Sequence, residues 1–322
     1  MTTLTLRKAI VNAVILILIM LLFSTTGCGK SDPDSNKETG KEEPGTTSFM
    51  TLKVMSFNVR YLTDDDSGDT NWEKRKDPCV KMIKTQSPDI FGLQEPRDEQ
   101  RDYLIAQLGD YKFAYVHAEG SVTSAQSGHT VLGYKSSKFD LVKAGRFWLS
   151  ATPDTPSTPW ACATDRSIRT CMWVELKEKT SGETIFFFNT HFPYKVADNE
   201  ARILCSNLCL TRMKNIAGAD ANTFLVGDLN TSSVSSDSRA YSIQPLFSWM
   251  QDGRTSAASS DAKASYNGYD AASNSAAKNQ LDHIFLKNMT PNIFTTDDSD
   301  AYGVKYVSDH YPVFLTVKIA VD

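Results

Sequence analysis

Apolar runs of strand length recur along the chain, interleaved with a few helical stretches and without strict βαβ alternation, which predicts a layered α/β or α+β fold. These runs begin or end on polar residues, the second informative observation. They are SFN at Asn58, FGLQE at Glu95, FFFNTH at His191, FLVGDLN at Asp228 and Asn230, LDHIF at Asp282, and SDHYPV at Asp309 and His310. A carboxylate, amide or imidazole there sits where a strand leaves the core, so neighbouring strands bring such groups to one edge of the sheets. Third, 41% hydrophobic and 10% aromatic content over 322 residues is ample for a substantial core.

The first element is not part of that core. Arg7 and Lys8, the apolar run Ala9–Phe23 and the small residues up to Gly27 predict an export signal over 1–27, too short to be a comfortable membrane span. Residues 28–48 are rich in Lys, Glu, Asp, Gly, Ser and Thr and predict a tether, since so few apolar groups cannot offset the entropy of ordering. The folded domain is expected over 49–322.

It opens with the strand TLKVMSFNV, followed by a polar turn over Thr63–Thr70. Asp77 and Pro78 read as the cap and first position of a short helix, and DIFGL as a buried strand. Further strands are expected at Lys112–Val116, Thr130–Tyr134, Phe139–Val142, Cys171–Lys177, Thr184–Phe188 and Thr223–Val226. A helix over Asp198–Ile216 would turn Ile203, Leu204, Leu208 and Leu210 inward. Thr231–Asn279, rich in Ser, Ala, Asn and Asp, reads as a short helix around Leu246, Phe247, Trp249 and Met250 between long loops. Strands resume at Leu281–Leu286 and Tyr311–Ile319.

Beyond Cys28 there are five cysteines: Cys79, Cys162, Cys171, Cys205 and Cys209. Cys205 and Cys209 share one helix face but are poorly placed for a mutual disulfide, and the set reads as buried structural cysteines. No CxxC pair or Cys/His cluster argues for zinc. A formal charge of −4 weighs against a dedicated nucleic-acid binder.

In their order, SFN, QE, NTH, GDLN, LDHIF and SDHYPV resemble the motifs of the endonuclease/exonuclease/phosphatase superfamily, over about residues 51–318. That group includes DNase I-like nucleases, abasic-site endonucleases, deadenylases, neutral sphingomyelinases and inositol-polyphosphate 5-phosphatases. The resemblance implies a DNase I-like four-layer α/β/β/α sandwich with a divalent metal at one end. It implies Glu95 as principal metal ligand, Asn58 as its neighbour and Asp309 as a further carboxylate, oxygen donors that suit Mg²⁺ or Mn²⁺. Asp228 is expected to orient or deprotonate the attacking water, and Asn230 to hold a phosphoryl oxygen. His310, supported by Asp282, would contact the phosphate or move a proton, with His191 beside them in the catalytic set. Arg169 matches an arginine that contacts phosphate in relatives, and Arg166 is its nearby alternative.

The chemistry asks for the same mixture. Hydrolysis of a phosphate ester spreads charge over oxygens, so a cation and N–H donors must face it while a carboxylate handles the water. One departure concerns His191: where relatives carry a glutamate that pairs with it, this chain has Gly128 and His129. The expected activity is a metal-dependent phosphohydrolase, foremost a nuclease-like phosphodiesterase. Alternatives are a phosphomonoesterase, a sphingomyelinase-type phospholipase, or a noncatalytic surface-binding module that kept the fold. The substrate would be a nucleic acid, a phospholipid, or a sugar or inositol phosphate, chosen by loops over His117–His129, Ala151–Ser167 and Thr231–Asn279 carrying Trp160, Tyr266 and Tyr269. The residues before Cys28 resemble a bacterial lipoprotein box with Thr25 where leucine is usual. This implies an exported protein, lipid-anchored through Cys28 to a bacterial membrane and facing periplasm or cell exterior, with cleavage by a general signal peptidase as the alternative, and the chain is expected to be a monomer.

Overall fold

The computed structural model describes residues 48–115, 129–272 and 274–321. The expected signal peptide, Cys28 and nearly all of the tether lie outside the described residues, as does the loop over 117–128. Among the described residues no helix is long and apolar enough to cross a membrane.

The strands are β1 (Ser48–Asn58), β2 (Ile90–Gln94), β3 (Tyr111–Ala114), β4 (Thr130–Lys135), β5 (Phe139–Trp148), β6 (Thr170–Glu178), β7 (Thr184–His191), β8 (Asn222–Asp228), β9 (Gln251–Asp252), β10 (Ser259–Ser260), β11 (Asp282–Lys287), β12 (Thr290–Thr296) and β13 (Val313–Val321). The helices are α1 (Trp72–Gln86), α2 (Asp98–Gln107), α3 (Asn199–Ala217), α4 (Gln244–Phe247) and α5 (Gly253–Ser256). They build two sheets, in the orders β10-β12-β13-β1-β2-β4-β3 and β5-β6-β7-β8-β11-β9.

Both faces of the central strands are buried, and the period of two divides their side chains between layers. Leu52 and Val54 of β1, Ile185 and Phe187 of β7, and Phe224 and Val226 of β8 fill the space between the sheets. Phe57, Phe91 and Leu93 face outward onto Trp72, Cys79, Met82, Ile83 and Leu104 of α1 and α2. Phe186, Phe188 and Leu225 face Cys205, Cys209 and Met213 of α3 on the opposite side. The result is the four-layer α/β/β/α sandwich.

Several local expectations change. Helix α1 starts at Trp72, because the Asn71 side chain accepts from the Glu73 N–H and caps it; Pro78 therefore lies inside the helix. Helix α3 buries Ala201, Cys205, Cys209 and Met213, whereas Ile203, Leu204, Leu208 and Leu210 are only partly covered. The missed helix α2 is mostly polar and buries only Gln100 and Leu104. Strand β12 was missed because Pro291 interrupts its pattern, and the ladder slips there between Pro291 and Ile293. Cys79, Cys171, Cys205 and Cys209 are buried free thiols and Cys162 is partly exposed.

Two buried polar ties hold the end of the sandwich where the strands finish. Arg75, fully buried on α1, donates to the carbonyls of Thr70 (2.6 Å), Val59 (2.9 Å) and Val307 (2.9 Å), joining the exit of β1 to the segment before β13. Asn189 crosses between sheets, donating to Leu93 O (2.8 Å) and Val131 O (2.9 Å) and accepting from Gln94 Nε2 (2.7 Å). Gly92 makes room for it: a Cβ there would come within 2.6 Å of Asn189 Cγ.

Candidate active site

Strand register assembles the site. His191 pairs with Asp228 across the parallel β7–β8 ladder, and Asp228 pairs with Asp282 across the antiparallel β8–β11 ladder. These three residues, far apart in sequence, thus form one row along the edge of one sheet. On the other sheet Asn58 pairs with Gln94, which puts Glu95 one residue beyond that row. Glu95 and Asn230 follow their strands with φ of 71° and 54°, a left-handed conformation costly for side-chain-bearing residues and seen where a site dictates the backbone. Hydrogen bonds from Glu95 N to His129 O (2.9 Å) and from Asn230 N to Asp228 Oδ1 (2.9 Å) hold these turns.

The side chains converge. Asn58 Nδ2 is 3.1 Å from both Glu95 Oε1 and Asp228 Oδ2, while its Oδ1 accepts from Arg60 N (2.9 Å). Glu95 Oε2 accepts from Tyr61 N at 3.1 Å. Asp228 Oδ2 lies 3.5 Å from His191 Nε2 and 3.6 Å from His310 Nε2. His310 Nδ1 meets Asp282 Oδ2 at 2.8 Å. Asp309 faces Arg60 at 3.7 Å. Glu95, Arg169, His191, Asp228, Asn230, Asp309 and His310 line one cleft of about 910 Å³, and Asn58 and Asp282 support them from beneath. All nine residues expected from the sequence are therefore in one place.

Burial and mutual charge set their protonation. Burial disfavours charge on His310, but the carboxylates of Asp282 and Asp228 outweigh it and push its pKa well above the usual value. Burial, with Asp282 adding to it against the opposing charge of His310, raises the Asp228 carboxyl to about 7. Asp309 is also raised, by burial and then by facing Glu95. His191 is driven well below the usual value, first by burial and then by the charges of Arg169 and His310.

A metal ion needs deprotonated ligands. Asp228, Asp282 and His310 have ligand atoms within 4.8 Å of one another, with His310 Nδ1 engaged by Asp282, but an imidazole is a softer donor than the oxygen ligands that a hard divalent cation prefers. The fit lies on the other side. Glu95 and Asp309 are two carboxylates facing each other, Glu95 adding to burial in raising the proton affinity of Asp309, and this concentration of oxygen donors suits a hard divalent cation.

The aromatic residues divide. Tyr266 lines the cleft and packs edge-on against His310, with ring centroids 5.0 Å apart. Trp160 packs on the outer core of the second sheet, with Arg166 bonded to its carbonyl, and Tyr269 turns its hydroxyl into the interior. Several supporting residues had no sequence signal strong enough to single them out. Ser265 Oγ accepts from the N–H groups of Leu281 (2.9 Å) and Asp282 (3.0 Å), while its carbonyl accepts from Tyr311 N (2.7 Å). It thereby registers Asp282 against His310. His283, the neighbour of Asp282, is buried and bonds Asp252 and Thr231 O.

A model of the Endonuclease/Exonuclease/phosphatase family matches residues 55–310. An endonuclease/exonuclease/phosphatase family protein from Bacteroides thetaiotaomicron is 26% identical, with a TM-score of 0.72 over 85% of this chain and 100% of that one. A mannosyl-6-phosphatase from Bacteroides thetaiotaomicron is also 26% identical, with a TM-score of 0.70 over 83% of this chain and 99% of that one. The uncharacterized protein L388 of Acanthamoeba polyphaga mimivirus is 28% identical over 184 residues, 53% of this chain and 67% of that protein.

Proposed function

The chain belongs to the endonuclease/exonuclease/phosphatase family and is a phosphoester hydrolase, and we propose that its substrate is a small phosphomonoester, such as a sugar phosphate, cleaved with a divalent cation. One observation carries the choice. The cleft has the volume of a single small ligand, about 910 Å³, and is walled by Tyr61, Tyr194 and Tyr266 with Arg60, Arg97, Arg166, Arg169 and Arg239 around it. A terminal phosphate carries close to two negative charges at neutral pH against one for a diester, so a basic, bounded cleft favours the monoester. The resemblance to a mannosyl-6-phosphatase points the same way. The nuclease-like diester reading of the sequence rests on the shared core, which serves both ester types.

Glu95 and Asp309, with Asn58 beside them, would hold the cation. When bound it supplies neutralisation of charge on the phosphoryl group and acidification of water. Asp228, with a carboxyl near 7, receives the proton of the attacking water. His310, charged and oriented by Asp282, stands 3.6 Å from Asp228 Oδ2 and offers its proton to a phosphoryl or departing oxygen. Asn230 and His191 present N–H groups to the phosphate.

A panel assayed with and without Mg²⁺ tests this: hexose 6-phosphates, inositol phosphates, bis(p-nitrophenyl) phosphate, single-stranded DNA and sphingomyelin. The highest kcat/KM is expected on a hexose 6-phosphate. Faster turnover of DNA or the synthetic diester would return the diester reading, and no metal-stimulated turnover of any member would favour a binding module. Export and anchoring belong to the same proposal, on the basic, apolar and small pattern that ends at Gly27. Intact-mass analysis of membrane-extracted protein should find acyl mass on Cys28; an unmodified N-terminus elsewhere would remove the anchor and leave the enzyme.

A further inference from the structure

Three tyrosines wall the cleft, Tyr61, Tyr194 and Tyr266, and they differ in what their rings already touch. Tyr61 carries two guanidinium groups, with Arg60 Cζ 4.6 Å and Arg97 Cζ 5.1 Å from its ring centroid. Tyr266 packs edge-on against His310. Tyr194 is 54% exposed, and among the described residues its side chain makes no hydrogen bond, ring contact or cation contact. An exposed aromatic is ordinary on a surface, so what marks this one is its place in the cleft and the backbone beneath it.

That backbone is held at every step. Pro193 fixes φ just before Tyr194, and Arg202 of α3, fully buried, donates from Nη1 to Pro193 O and Lys195 O at 2.8 Å each and from Nη2 to Val196 O at 3.2 Å. Asp198 N adds a bond to Lys195 O (3.0 Å), and Lys195 Nζ reaches Thr164 O (2.9 Å). Upstream, the buried Phe192 donates its N–H to Asp228 O (2.9 Å) and accepts from Asn230 Nδ2 (3.0 Å). Burying a guanidinium is costly, and here the carbonyls of one short segment offset that cost. Tyr194, three residues after His191, is thereby fixed relative to the catalytic row while its ring stays open to the cleft.

The surrounding groups select what would lie on that ring. Arg60 is paired with Asp66, Arg169 with Asp165 and Arg239 with Asp237, whereas Arg97 and Arg166 form no ion pair with a described residue. Their donors, with Ser167 and Asn279, face the same cleft. A pyranose matches this division, since it has a face of C–H groups that packs on an aromatic ring and an edge of hydroxyls that meets donors. A nucleobase stacks as well but has no ring of hydroxyls. We propose that Tyr194 is the platform for the sugar ring of the phosphomonoester, and that it sets the preference for a ringed sugar phosphate over a ringless one. The inference rests on the phosphomonoester reading. A contact made only with the sugar is the same in ground and transition states, so its loss belongs in KM and not in kcat.

The test compares a hexose 6-phosphate, glycerol 3-phosphate and a nucleoside 5′-monophosphate on the full chain, with inorganic phosphate as inhibitor. Tyr194→Ala should raise KM for the hexose 6-phosphate by about 3- to 10-fold, the range of one aromatic contact, with kcat changed less than about twofold. KM for glycerol 3-phosphate and inhibition by phosphate should stay within about twofold, and so should every constant of Tyr194→Phe, which keeps the ring. Equal losses on the ringed and ringless substrates, no loss on either, or a Tyr194→Phe defect as large as that of Tyr194→Ala would overturn the proposal. A nucleotide that is turned over best and loses most in Tyr194→Ala would overturn the sugar assignment. Saturation-transfer NMR with the hexose 6-phosphate and Mg²⁺, in a His310→Ala background that slows turnover, reads the contact apart from catalysis. The sugar C–H protons should take up saturation, and much less of it once Tyr194→Ala is added. Saturation in a chain whose wild type hydrolyses no phosphomonoester would keep the platform and remove the phosphomonoesterase reading; hydrolysis with saturation indifferent to Tyr194 would do the reverse.

Discussion

Glu95→Gln is expected to lower metal-stimulated turnover by on the order of 10³ or more, because a ligand to a catalytic cation contributes several kcal/mol and each 1.36 kcal/mol is tenfold. The change keeps the shape of the side chain, and its Oε2 contact with Tyr61 N needs only an acceptor. The fold should therefore persist. The Asn58 amide, bonded to Glu95 and Asp228 at 3.1 Å each, can stay on Asp228. Titration of Mg²⁺ against activity, with circular dichroism as control for folding, gives the answer. Wild-type turnover at saturating Mg²⁺ would take Glu95 out of the metal site.

Asp228→Asn and His310→Ala should each cost on the order of 10² to 10⁴ in kcat, the range for a positioned general base or acid. The two act on one proton inventory, so the double variant should cost far less than the product. The pH profile separates them. Asp228 must be ionised to accept a proton, and its carboxyl is raised to about 7, so wild-type kcat/KM should fall as pH drops through about 7. A bound cation favours the carboxylate and would move that limb lower. His310 must be charged, and its pKa lies well above the usual imidazole value, so a second decline belongs on the alkaline side. Asp282→Asn, which removes the negative partner 2.8 Å from His310 Nδ1, should pull the alkaline limb toward neutrality. An unchanged alkaline limb in Asp282→Asn would dissociate it from His310.

Part of the site could be read from single strand ends. A run such as FLVGDLN changes abruptly from apolar to acidic, and an unpaired buried carboxylate is costly, so Asp228 at the end of a core strand announces a partner. The same reasoning marked Glu95, Asp309 and His310, whereas Asn58, His191 and Asp282 stood out only as members of the ordered set of motifs. It fared worse wherever a residue works through its neighbours. Asn189 stood inside a recognised motif, yet its task, spanning the sheets to Leu93 and Val131, depends on the packing of two layers. Asp165, Ser265 and Arg75 are ordinary polar residues in sequence and become informative only through the atoms they meet.

What the sequence determined by itself was local: period-two burial on both faces of the central strands, and polar residues at the points where those strands leave the core. These follow from the pleat and from the cost of burying charge, which act over a few residues. Tertiary structure decided the relations. Asn58 meets Asp228 across 170 residues, and Arg169, on the cleft wall, meets His191, because ladder register and sheet stacking fix which strand ends are neighbours. Register carries no mark at the single residue, since a strand reads the same whichever partner it takes until the whole set of apolar faces has been buried at once.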